Sequence, residues 1–82
     1  MKVKDVKVGE IFTINNSLVR PKLKLNEGFL DIATRYSYIN KEEVTATICT
    51  ESELDRIQRN WRMTPEEFEN HKQILIKKYI KD

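Results

Sequence analysis

Hydrophobic positions recur every second residue through the first half of this chain and every third or fourth residue through the second half. The first period is that of strands and the second that of helices. Val6 and Val8 lead through Gly9-Glu10 into Ile11-Phe12-Thr13-Ile14, which predicts a strand over about residues 10–15. Asn15-Asn16 follows as a tight turn, because asparagine tolerates positive φ. Val19, Pro21, Leu23 and Leu25 then share one parity and Arg20, Lys22 and Lys24 the other, giving a second strand over about 18–25. Pro21 cannot donate a ladder hydrogen bond, so this strand is expected at a sheet edge or beside a bulge. Asn26-Glu27-Gly28 closes the next hairpin. Leu30, Ile32, Tyr36 and Tyr38 share parity in a third strand over about 29–39, with Thr34 between them. After a turn at Asn40-Lys41-Glu42, Val44, Ala46 and Ile48 mark the inward side of a fourth strand over about 43–50. Four short, hairpin-linked strands predict an antiparallel meander, strongly curled or closed into a small barrel.

At Thr50 the period lengthens. Thr50-Glu51-Ser52-Glu53 and Ser52-Glu53-Leu54-Asp55 are alternative starts for a helix over about 51–62, with Leu54, Ile57 and Trp61 as its apolar stripe. Pro65 disfavours helix at Thr64 and ends it. Thr64-Pro65-Glu66-Glu67 opens a second helix, over about 65–81, with an N-cap threonine, a proline at the first position and a glutamate closing a capping box. Its main stripe is Phe68, Leu75, Ile76, Tyr79 and Ile80. Ile74 lies on a different side, with His71 between. That arc is wider than one sheet face covers, which leaves part of it for the first helix or for a second copy of the chain. The fold class expected is α+β, a single domain over 1–82.

The stretch Val6-Lys7-Val8-Gly9-Glu10-Ile11-Phe12 resembles the first strand of SH3-like small barrels, where a glycine and an acidic residue precede an apolar strand. The resemblance implies that the meander is an SH3-like partial barrel, to which the two C-terminal helices are added.

Composition narrows the chemistry. With 82 residues, one core must serve the whole chain. The single cysteine, Cys49, excludes an intramolecular disulfide, and one cysteine with one histidine cannot supply a four-ligand structural zinc site. No metal and no cofactor are therefore expected. The longest aliphatic run, Ile74-Leu75-Ile76, is too short to span a bilayer, and the opening residues lack a signal-peptide pattern, so the expected location is cytoplasmic. A net charge of +2 is small for a protein committed to duplex nucleic acid.

Two basic sets are candidates for binding. Arg20, Lys22 and Lys24 are expected to project from one strand at intervals of about 6.5–7 Å, a spacing suited to successive phosphates of a single strand. Phe29, Tyr36 or Tyr38 would be available to stack on bases. The ordinary role of such cations is to keep an edge strand from pairing with another chain. Arg56, Arg59 and Arg62 step along one side of the first helix, where Asp55 and Arg59 also form an i, i+4 pair and cations complement the helix dipole. A helix-turn-helix reading fails, because Pro65-Glu66-Glu67 would carry negative charge toward phosphates.

Trp61, Met63, His71 and Ile74 are the candidates for a protein-binding surface around the interhelical turn and the surplus helical arc. No catalytic constellation or Gly-rich phosphate loop can be assembled, so no enzyme is expected. The leading expectation is a small non-enzymatic protein-binding or adaptor module that acts through its C-terminal helical pair, with self-association as one form of partnering. The alternative is a single-stranded nucleic-acid-binding module that uses the basic strand, and a third reading is an accessory subunit of an enzyme.

Overall fold

The computed structural model describes residues 1–81; Asp82, the last residue of the expected domain, lies outside the described residues. Five short strands form one antiparallel sheet: β1 (Ile11–Thr13), β2 (Lys22–Lys24), β3 (Phe29–Asp31), β4 (Ser37–Tyr38) and β5 (Thr47–Ile48). Their order is β4-β3-β2-β1-β5, so the first four make a meander and the fifth returns beside β1. Helices α1 (Glu51–Asn60) and α2 (Pro65–Tyr79) follow. The architecture is therefore α+β, as expected, with five strands in place of four.

The extra strand arises because the expected third strand is interrupted. Asp31 Oδ1 accepts hydrogen bonds from the backbone N–H groups of Ala33 and Thr34 at 2.9 and 3.1 Å. Side-chain capping of this kind offers the backbone a turn instead of a ladder. Arg35 then takes a φ of 63° and its N–H donates to the Asp31 carbonyl at 2.7 Å. The turn changes parity, so Tyr38 no longer shares a face with Leu30. Pro21 also plays a different part from the one expected. It directly precedes β2, which lies inside the sheet between β1 and β3, and its carbonyl accepts from Ile32 N–H at 3.1 Å.

Every residue of β1, β2 and β3 is buried, because both sheet faces are covered. On one face Ile11, Leu23, Leu30 and Ile32 pack with Ile57 of α1 and with Phe68 and Leu75 of α2. On the other, Val3 and Val6 cluster with Phe12, Phe29 and Ala46. The N-terminal residues reach that face by running against the segment before β5. Val3 N–H donates to the Val44 carbonyl at 2.9 Å, Ala46 N–H to the Met1 carbonyl at 2.7 Å, and Lys2 bridges Thr45. Phe12 meets Phe29 edge-on, and Phe29 stacks on Tyr38 with ring centres 5.1 Å apart.

Both helices begin with a complete capping box. Thr50 is the cap chosen for α1, with Glu53 as its reciprocal partner, and Thr64 with Glu67 caps α2 behind Pro65. Between them α1 ends in a left-handed residue, Arg62 with φ 54°, whose N–H donates to the Arg59 carbonyl while Met63 N–H donates to that of Gln58. This paired bonding is a Schellman closure, and it turns the chain sharply between the helices.

Candidate functional site

The closure at Arg62 sets Trp61 and Met63 on either side of the interhelical turn. Trp61 packs on Phe68 of α2, with ring centres 6.2 Å apart, yet stays half-exposed, as does Met63. His71 lies two turns into α2. From the opposite side the β3–β4 turn contributes Ile32, Ala33 and Arg35. These six residues line one open pocket of about 430 Å³. A pocket of that size lies within the usual range for a small ligand or one inserted side chain.

Three of the four helical candidates, Trp61, Met63 and His71, are thus brought together. Ile74 is exposed but does not line the pocket. Ile32, Ala33 and Arg35 are additions that strand periodicity missed; the signal that would find them is Asp31, a side-chain acceptor placed two and three residues before the amides it holds. Burial, and after it the charge of Arg35, holds the His71 imidazole below its ordinary pKa. The neutral form, which presents one N–H donor and one acceptor, is thereby favoured.

The basic strand does not form the expected solvent face. Lys22 and Lys24 are buried, 9% and 5% exposed, because the N-terminal segment covers their side of the sheet. The Lys22 ammonium donates to Asp31 Oδ2 at 3.1 Å and to the Arg20 carbonyl at 2.7 Å, while that of Lys24 donates to the Leu25 carbonyl at 3.0 Å. Arg20 remains largely exposed but reaches Asp31 Oδ2 at 3.5 Å. Phe29 is buried in the second cluster and Tyr38, half-buried, packs against it, whereas Tyr36 is exposed. Arg56, Arg59 and Arg62 are exposed, and Arg59 is paired with Asp55 on its own helix.

Asp31 is the electrostatic centre of this end of the sheet. Its burial raises the carboxyl pKa, but the hydrogen bond from Lys22, the Thr34 N–H, the Lys22 charge and the Ala33 N–H outweigh that and hold it below the usual carboxylate range. The same carboxylate therefore fixes both the buried lysine and the turn that carries Ala33 and Arg35 to the pocket.

Other features fit binding less well. A second hollow, of about 500 Å³, is lined by the turn residues Asn40 to Val44. Its carboxylates are engaged already, Glu42 by the Gly28 N–H and Glu43 by Lys2 and Lys4. Cys49 is buried, and burial followed by the Glu53 charge pushes its thiol up to about 11. Since the thiolate is the reactive form, a thiol reagent at about pH 8 should label Cys49 far more slowly than a free cysteine. Labelling of the folded protein at the free-cysteine rate would contradict this placement. Among the described residues no helix is long and apolar enough to cross a membrane, and no group of His, Cys, Asp and Glu is placed to hold a metal ion. Comparison with protein-family models, with curated proteins and with solved structures finds no match.

Proposed function

We propose that this chain is a non-enzymatic protein-binding module whose recognition site is the pocket between the β3–β4 turn and the α1–α2 junction. The observation that carries the reading is the convergence of half-exposed Trp61 and Met63 with His71 and Arg35 around one hollow. Tryptophan and arginine are the residue types most often found at the energetic centre of protein interfaces, and methionine adapts its shape to a partner side chain. The lining holds no carboxylate, thiol or hydroxyl, which leaves it without the usual nucleophiles and with a single acid–base group. The site also sits on fixed backbone, since one side is closed by the helix end at Arg62 and the other by the Asp31 turn. Preorganisation of that kind lowers the ordering cost of binding.

The return of β5 beside β1 and the filling of one sheet face by Val3, Phe12, Phe29 and Ala46 further support an SH3-like partial barrel as the scaffold. In that reading the helices supply the binding surface and the sheet supplies its floor.

Selection from a random peptide display library tests the proposal. Peptides recovered on the wild-type chain should bind it and lose at least about tenfold in affinity on Met63→Glu, which places a charge at the pocket wall at a half-exposed residue packed on the margin of the core. Unchanged helical circular dichroism would show that the variant is folded. Equal binding to Met63→Glu, or a library that yields no binder, would contradict the proposal.

A further inference from the structure

If this pocket is the recognition site, its lining also restricts what enters it. One part is apolar, from Ile32, Ala33, Trp61 and Met63; the other is formed by Arg35 and His71, and no acidic side chain lines it. Arg35, like Arg56 and Arg62, makes no ion pair among the described residues, whereas Arg20, Lys22 and Arg59 do. Its backbone has a φ of 63°, a conformation that suits asparagine or glycine better than arginine. The position thus carries a long cation where local geometry favours a short side chain.

We propose that the pocket accepts the C-terminal residue of a partner polypeptide, with an apolar side chain against Trp61 and Met63 and the free carboxylate against Arg35 and His71. A guanidinium fork matches a carboxylate with two parallel hydrogen bonds, and an imidazole N–H supplies a further donor. The choice of a chain end over an acidic side chain follows from geometry. In an extended peptide the residue after the apolar anchor points to the opposite face, and the next one on the same face lies about 6.5–7 Å away. A terminal carboxylate is attached to the Cα of the anchor itself, so charge and apolar group enter one compact pocket together. A phosphate would satisfy Arg35 but leave the Trp61 and Met63 side unfilled.

Trp61, the only tryptophan, is a built-in reporter of occupancy. Its emission in the full chain should change saturably with N-acetyl-leucine, with a dissociation constant of about 1–10 mM for so small a fragment. N-acetyl-leucine amide, which lacks the charge, should bind at least about tenfold more weakly. Arg35→Asn keeps a residue that tolerates the left-handed backbone; it should weaken binding of the acid by at least about tenfold, toward that of the amide. If acid and amide bind alike, the pocket is apolar only and the terminal-carboxylate inference fails while the pocket reading stands. An aspartyl-leucine amide or inorganic phosphate that binds as tightly as N-acetyl-leucine also overturns the inference. If neither leucine fragment changes Trp61 emission up to about 50 mM, well above the expected constant, the pocket reading falls as well.

Discussion

Gly28→Ala is expected to remove much of the chain's stability. Gly28 has a φ of 72°, and a methyl group there would lie 1.9 Å from the carbonyl oxygen of Tyr38 and 2.9 Å from its carbon. Both atoms are backbone, so no side-chain rotation relieves the clash. Relief would have to separate β3 from β4 where Phe29 pairs with Tyr38, and it would break the bond from Gly28 N–H to Glu42 Oε1 at 3.1 Å. The Phe29–Tyr38 stack in the second core would open with it. A backbone overlap in a left-handed turn belongs among the few changes that cost more than about 4 kcal/mol. That is comparable with the whole stability of a domain of this size, about 5–10 kcal/mol. Thermal melting followed by circular dichroism checks it, and a Gly28→Ala melt within a few degrees of wild type would contradict the described hairpin.

Asp31→Ala should destabilise the fold by about 3–5 kcal/mol, the usual cost of leaving one buried partner of an ion pair alone. The Asp31 side chain is almost wholly enclosed and accepts from Lys22, Arg20, Ala33 and Thr34. Its loss would strand the Lys22 ammonium, which is itself only slightly exposed, and would free the turn that positions Arg35. The double change Lys22→Met with Asp31→Leu should recover much of the ion-pair cost, because an apolar pair of similar volume removes both charges. The pH dependence has a definite sign. The folded carboxyl titrates below its unfolded value, so its contribution is fully present above about pH 4, the ordinary Asp range, and is lost as pH falls through the lower folded value. Urea unfolding at several pH values should therefore show wild type and Asp31→Ala converging at acid pH. A constant gap across that range would show that the carboxylate charge is not the source.

Local signals were read reliably where one residue type decides the backbone. The Thr64 capping box, Pro65 and the asparagine turn at Asn15-Asn16, both with φ 56°, form where the sequence places them, and of the two starts open for the first helix the Thr50 capping box is the one that forms. Alternation was a weaker guide, because it reports that two strand faces differ and not what covers each. Lys22 and Lys24 alternate with Leu23 and Leu25, which reads as a wet face opposite a dry one. The dry side is real, but the other side is closed by Val3 and Val6, residues remote in sequence. An Asp31 carboxylate on the neighbouring strand then replaces water for Lys22. Such pairing is decided by register, which a single strand does not reveal. The pocket shows the same division. Trp61, Met63 and His71 could be singled out from the interhelical turn, whereas Arg35 reaches them only because Asp31 breaks a strand that hydrophobic periodicity extends through it.

The central claim is that partners bind at the junction of the β3–β4 turn with the two helices. Two-dimensional amide NMR spectra of the full chain, recorded with and without a peptide recovered by display, test it most directly. The largest shift changes should fall on Ala33, Arg35, Trp61, Met63 and His71, with Lys22 and Lys24 little affected. Changes centred instead on Asn40 to Val44, or on the exposed arginines Arg56 and Arg59, would contradict it.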